Sequence, residues 1–285
     1  MKNISITNLV DNMVNRKDLM SEHGLSFWIE TEDGNLLWDV GQTNLVLRNA
    51  QKLGISIQST THIALSHGHY DHTGGLIQAL ILAPHAKVYG HPDLFIQRFS
   101  NPGHSCKSIG SFEKKDVVEE LCDTFILSTE PVEVLPGIFI TGQIPRETTF
   151  ENTGGNFFLD ENCIFRDPIM DDQALYFNTS RGIVIILGCA HSGVVNTMKY
   201  ISEITGIDKI FAVFGGMHLS GASQERLELT ADAFNYYDVQ KIGPSHCTGA
   251  EAISYFKSRL PDRIVECMTG SQFSFEMNVP VCRQT

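Results

Sequence analysis

Apolar and polar positions along the first third of the chain predict short strands joined by turns. Leu25-Ser26-Phe27-Trp28-Ile29-Glu30 passes through Glu32-Asp33-Gly34, a turn signal, into Asn35-Leu36-Leu37-Trp38-Asp39. The spacing then becomes helical from Asn44 to Leu53 and stops at Gly54. Ile63-Ala64-Leu65 is a brief apolar strand, followed by a helix through Leu76-Ile77-Gln78-Ala79-Leu80. Lys87-Val88-Tyr89 predicts another strand, and Pro92 suits the start of a short helix. From Asn101 to Phe150 the period is lost, with short strands expected between Pro131 and Thr141. The last third repeats strand then helix. Ile183 to Leu187, Ile210 to Phe214 and Ile242 to His246 are strands, with helices from near Val194 and from Gln224 to Asn235. Each of these strands delivers a histidine at or just beyond its end: His191, His218 and His246. Function placed at strand ends over a rigid sheet is the usual arrangement in layered folds.

The densest chemistry lies in His67-Gly68-His69-Tyr70-Asp71-His72, directly after the strand ending at Leu65. Three imidazoles and a carboxylate suit zinc, manganese or iron. In an extended loop His67 and His69 point the same way, because alternate residues share a face. If Thr73-Gly74-Gly75-Leu76 opens a helix, Asp71 and His72 sit at its first turn and diverge toward a second position. Two ions side by side usually serve hydrolysis or group transfer. As a merely polar loop the run is unfavourable, since unpaired imidazole and carboxylate are costly to bury.

Around this run the chain resembles the metallo-β-lactamase superfamily, whose signature is His-x-His-x-Asp-His. Trp38-Asp39-Val40-Gly41 is similar to the early Asp-x-Gly of that family, and Ser66 to Gly75 to its central motif. Gly188-Cys189-Ala190-His191-Ser192-Gly193, Gly215-Gly216-Met217-His218-Leu219 and Pro244-Ser245-His246-Cys247-Thr248-Gly249 resemble a branch containing dihydropterin-utilising, dihydropteroate-type synthases. The resemblance implies an α+β, four-layer αββα sandwich, two mixed sheets flanked by helices, with metals at one edge. It makes His67, His69 and His191 candidates for a first metal position, and Asp71, His72 and His246 for a second, with Asp71 also the catalytic candidate. One or two divalent ions are expected, zinc before manganese or iron.

Two departures from the family pattern stand out. Gly188-Cys189 occupies the place of a Gly-Asp pair whose carboxylate bridges the metals in many hydrolases, so Cys189 is a bridging candidate and His191 its competitor. The further histidine expected before that pair has no clear counterpart; His104, Asp167, Asp171 and Asp172 are alternatives. Asp39 is expected to accept the free ring N–H of a ligand histidine, or else to cap the helix near Asn44. His218, after two glycines, and Arg146 are candidate substrate contacts, Arg146 for phosphate or carboxylate.

Composition narrows the substrate. The chain has 285 residues, 42% hydrophobic and 19% charged, ordinary for a globular enzyme. With metal candidates spread from His67 to His246, one domain spanning 1–285 is expected, with 101–150 as a variable, substrate-shaping segment. A net charge of −12 and no basic cluster beyond pairs such as Lys114-Lys115 argue against nucleic acid. A small-molecule substrate is expected, with a homodimer left open. The seven cysteines are dispersed and lack a Cys-x-x-Cys pair, which does not read as a disulfide framework. Ile183 to Leu187 is far short of the ~20 residues that cross a bilayer, so no membrane partner and a cytoplasmic location are expected. Hydrolysis and transfer with pyrophosphate displacement both fit. A di-iron redox protein and a non-enzymatic metal binder are the alternatives.

Overall fold

The computed structural model describes residues 2–103 and 105–278; His104 lies outside them. β1 (Lys2–Val10), β2 (Ser26–Thr31) and β3 (Gly34–Trp38) form an antiparallel meander, with Ile6 opposite Ile29 and Phe27 opposite Trp38. α1 (Leu45–Lys52) and β4 (His62–Ala64) follow, then α2 (Tyr70–Thr73), α3 (Leu76–Leu82) and β5 (Lys87–Gly90). The middle holds β6 (Phe99–Ser100), β7 (Lys107–Ser108), α4 (Lys115–Leu121), β8 (Thr124–Leu127), β9 (Val132–Leu135), β10 (Ile138–Ile140) and β11 (Phe157–Phe158). The last part runs through β12 (Ala174–Thr179), β13 (Gly182–Leu187), α5 (Val194–Thr205) and β14 (Ile210–Gly216). It ends with α6 (Gln224–Tyr236), β15 (Lys241–Ser245), α7 (Ala250–Arg259) and β16 (Gln272–Met277).

Hydrogen bonding links β15-β14-β13-β12-β16-β1-β2-β3-β4-β5-β8 into one path, with β10 attached to β12 and β9 to β10. The path is held at β12–β16 by a single pairing, Thr179 with Met277. Three apolar layers show how its halves stack. Ile6, Phe27 and Trp38 of the first half meet Phe177, Val184 and Phe214 of the second in a central layer. Val46, Leu76 and Leu80 cover the outer face of the first half. Met198, Ala231 and Phe256 cover that of the second. β13 shows the cause. Val184 and Ile186 enter the central layer while Ile183, Ile185 and Leu187 enter the outer one, so a continuous apolar run is buried on both faces. Helix, sheet, sheet, helix is thus the layer order of this α+β fold.

Some local expectations are corrected. The helix after the histidine run does not open at Thr73. Asp71 and His72 lie in the short α2, which breaks at Gly74-Gly75 before α3 begins. Pro92 opens a turn and not a helix. Cys106 and Cys163 form a disulfide, with Cα atoms 6.0 Å apart. The bond ties the segments beside the small sheet β11-β6-β7, a pairing between positions 57 residues apart that spacing alone does not reveal. No helix among the described residues is long and apolar enough to cross a membrane.

Candidate metal centre

Strands β3, β13, β14 and β15 all end at one edge of the sandwich, and each is followed by a residue with positive φ. These are Asp39 (57°), Ala190 (54°), His218 (44°) and His246 (50°). Left-handed backbone at non-glycine residues is strained and clusters where surrounding contacts enforce a functional geometry. Close packing of these strand ends also restricts Gly188. A Cβ there would lie 2.1 Å from Ser66 Oγ, so no larger residue fits without movement.

The histidine rings gather in two groups. His67, His69 and His191 have centroids 4.5 to 4.9 Å apart, with His67 Nε2 and His69 Nδ1 at 2.9 Å. His72 Nε2 and His246 Nε2 are 3.2 Å apart, and Asp71 Oδ2 is 3.8 Å and 3.3 Å from them. Cys189 lies between the groups. Its Sγ is within 4.8 Å of ligand atoms of His67 and His191, and likewise of His72 and His246.

Partners of the outer ring nitrogens assign the tautomers. His72 Nδ1 lies 2.7 Å from Asp39 Oδ2, a pure acceptor, so Nδ1 carries the hydrogen. His191 Nδ1 donates to the Thr153 carbonyl at 2.8 Å. His246 Nδ1 faces Asn12 Oδ1 at 2.9 Å, an oxygen also bound by the Gly24 N–H. Ser66 Oγ donates to Asp39 Oδ2 and therefore accepts from His67 Nδ1 at 2.9 Å. With Nδ1 engaged in this way, the Nε2 atoms of His67, His72, His191 and His246 are turned toward one another. Imidazole nitrogens converging beside a carboxylate and a thiol fit a cation: a metal ion, or without one the proton that Asp39 and Asp71 favour on His72. His69 Nε2 and His191 Nε2 have no partner among the described residues.

The electrostatics have the same cause. Burial holds His67, His69 and His191 well below the usual imidazole range, reinforced by neighbouring rings. Burial also opposes charge on His72, but the Asp39 and Asp71 carboxylates outweigh it and push this ring up to about 9. Burial would raise Asp71, yet His72, His23 and His246 hold it well below the carboxylate range. The donor set suits divalent binding through nitrogen, oxygen and sulfur.

Other candidates fall elsewhere. Asp39 does not cap α1, whose preceding Asn44 makes no side-chain cap; it also accepts the Ser66 N–H at 2.7 Å. Arg146 directs Nη1 and Nη2 at the carbonyls of His191 and Ile169, 2.8 and 2.7 Å away, so it braces the loop carrying His191. Asp167 and Asp171 are not ligands but partners of the buried Arg98. Asp172 accepts the Ser192 N–H. His218 stands 4.3 Å from His191 by ring centroids, with its Nδ1 unpartnered. Of the described residues in the 101–150 segment, only Phe150 lines the cavity beside His218.

Sequence reasoning missed His23, whose Nε2 is 3.1 Å from Asp71 Oδ2, and Phe157, whose ring covers His69 and His191. It also missed Asp11 and Asn12, which hold the backbone and ring of His246. No motif marks these supports; only their place at the end of β1 does.

Comparison with known proteins agrees with this geometry. The model of the metallo-beta-lactamase superfamily matches residues 22–136. A 7,8-dihydropterin-6-methyl-4-(beta-D-ribofuranosyl)-aminobenzene-5'-phosphate synthase of Methanocaldococcus jannaschii is 33% identical over 267 residues, 90% of each chain. The crystal structure of a metal-dependent hydrolase of the beta-lactamase superfamily is 28% identical, with a TM-score of 0.81 over 96% of this chain and 100% of that one. A diphosphatase of the PhnP family shares the fold at 13% identity and a TM-score of 0.57, covering 97% of this chain and 99% of that one. On sequence and fold alike, the chain belongs to the metallo-beta-lactamase superfamily.

Proposed function

We propose that this chain is a zinc enzyme with two ions, one at His67, His69 and His191 and one at Asp71, His72 and His246, with Cys189 between them. The reaction is a condensation. An aromatic amine carrying a ribose phosphate attacks the methylene carbon of a dihydropterin diphosphate ester. A C–N bond forms, the C–O bond to diphosphate breaks, the amine gives up a proton, and pyrophosphate leaves. Two observations support this reading: the convergence of imidazole nitrogens with Cys189 and Asp71, and 33% identity to the archaeal synthase along nine-tenths of the chain. Imidazole, carboxylate and thiol together favour zinc over the harder magnesium or calcium.

A divalent ion held there would act as a Lewis acid toward negative charge developing on the departing phosphate. Residues of the chain do the rest. Asp39 and the Thr153 carbonyl fix the His72 and His191 rings. Phe157 shields His69 and His191 from water. The net charge of −12 is consistent with a compact ligand and not a polyanion.

Hydrolysis is the second reading, favoured by the 28% identity to a metal-dependent hydrolase. The test is to incubate zinc-loaded protein with the dihydropterin diphosphate, with and without the amine, and identify products by mass spectrometry. Condensed product with equimolar pyrophosphate is expected. Pterin alcohol formed equally with and without amine selects hydrolysis. No turnover at full metal occupancy overturns both for this substrate.

A further inference from the structure

Beside His218 opens a cavity of about 540 Å³, walled by the loop Asn152–Asn156, by Ser220–Ser223 and by Arg226. Arg226 lies in the first turn of α6 and is 3% exposed. Its Nη1 donates to Asn152 Oδ1 at 2.8 Å, but Nε and Nη2, both covered from solvent behind the cavity wall, have no partner among the described residues, and an anion reaches them only as the Asn152 loop shifts. Those two nitrogens form the side edge of the guanidinium, whose parallel N–H bonds fit two oxygens of one anion. Elsewhere in this chain the same edge does that. Arg16 grips Asp18 with Nε at 3.1 Å and Nη2 at 2.6 Å. The nearby Glu151 carboxylate does not fill the edge of Arg226. It accepts from the Val195 and Asn196 N–H groups at 2.9 Å and from the Thr148 hydroxyl at 3.0 Å, capping α5.

A buried cation with an empty fork, in the first turn of a helix and on the wall of a polar cavity, calls for an oxyanion. The loop is shaped to bring its backbone close. Gly154 has φ +82°, and a Cβ there would lie 2.1 Å from the His218 ring. We propose that this cavity seats a phosphate monoester of the substrate, held by the Nε/Nη2 edge of Arg226, with His218 between that seat and the metal-binding rings. This inference rests on the proposed condensation and deepens it. The diphosphate is the leaving group and belongs with the Lewis acid, so the phosphate left for Arg226 is the monoester on the sugar.

The test titrates ribose 5-phosphate and, separately, pyrophosphate into metal-loaded protein by calorimetry. Asn152→Asp is the main variant. It keeps the acceptor used by Arg226 Nη1 and by the Gly154 N–H, while setting a carboxylate against the guanidinium. Ribose 5-phosphate should bind at least tenfold more weakly to Asn152→Asp, and pyrophosphate within about twofold of wild type. Arg226→Met should lose the sugar phosphate altogether, with folding checked by circular dichroism. If that variant misfolds, Asn152→Asp decides alone. Equal ribose 5-phosphate affinity in wild type and Asn152→Asp overturns the proposal, as does failure of the wild type to bind it. Weakening of pyrophosphate alone would assign the seat to the diphosphate and equally overturn the monoester. Sugar-phosphate binding that follows Asn152, in a protein that forms no condensed product, removes the reaction and leaves the seat standing.

Discussion

Two buried polar clusters lie side by side at this edge of the sandwich, and they behave oppositely. In the first, Arg98 is fully buried and every guanidinium nitrogen has a carboxylate. Nε meets Asp167 at 2.9 Å, and Nη1 and Nη2 meet Asp171 at 2.9 and 2.7 Å. Each carboxylate also accepts one backbone N–H. Asp171 accepts the Gly68 N–H and Asp167 the Ile169 N–H, both at 2.7 Å. In the second, the rings of His67, His72, His191 and His246 are set by outside partners so that their inner Nε2 atoms face one another. A buried cluster that satisfies itself is scaffold, whereas one that points unsatisfied donors at a common centre is built for a ligand. The Gly68 N–H joins them: the self-satisfied cluster holds the loop on which His67 and His69 stand.

The largest effect should come from emptying one side of the ligand-seeking cluster. His67→Ala with His69→Ala should lose the ion of that side entirely, while the circular dichroism spectrum stays that of the wild type. Elemental analysis of the purified double variant reads it. Wild-type metal content would erase the distinction between the clusters.

Arg98→Met comes next and should act on stability. Breaking a buried ion pair from one side leaves Asp167 and Asp171 uncompensated and costs about 3–5 kcal/mol. Urea unfolding of wild type and variant at equal metal occupancy measures it. A loss below about 1 kcal/mol would show that the carboxylates are readily hydrated, so that Arg98 is no scaffold.

The contrast also explains what could be read from the sequence. Strands β2, β3, β13, β14 and β15 and helices α1, α5 and α6 were legible within a few residues, because their apolar periods are strong and turn residues bound them. β16 was not. Its buried positions are only Phe275 and Met277, and it exists because β1 pairs with it from Lys2–Met277 to Thr7–Gln272. α7 buries just Ala252 and Phe256, too few to show a helical stripe. At the site, His67 to His72 were visible because they are contiguous. Arg98 stands 69 and 73 positions from its two aspartates, and the Thr153 support is a backbone carbonyl, which any residue supplies.

Asp39→Asn should have a smaller effect, confined to the ligand-seeking cluster. The amide keeps the size of Asp39 and tolerates its positive φ, so the fold should persist. It loses the negative charge that orients His72 through Nδ1, a change that typically costs 10–100-fold in metal affinity. Competition with a chromophoric chelator should show one ion weakened by that factor. Equal weakening of both ions would mean that Asp39 acts through Ser66 on His67 as strongly as on His72.

The smallest effect is expected at Cys189, and it bears on how the two donor groups are joined. Cys189 Sγ lies 3.2 Å from His72 Nε2 and 3.3 Å from Cys247 Sγ, and it counts in both groups. Burial pushes its thiol well above the usual range, so with no ion near it is a weak donor. His191, by contrast, belongs to one group, and its Nε2 has no other partner. Each group also keeps three donors when the thiol is removed: His67, His69 and His191 on one side, Asp71, His72 and His246 on the other. Cys189→Ser should therefore keep both ions, each weakened less than about tenfold, whereas His191→Ala should lose one. Stoichiometry from elemental analysis, followed by chelator competition, separates the two variants. If Cys189→Ser alone sheds an ion, the thiol is the ligand that closes that site and His191 only lines it.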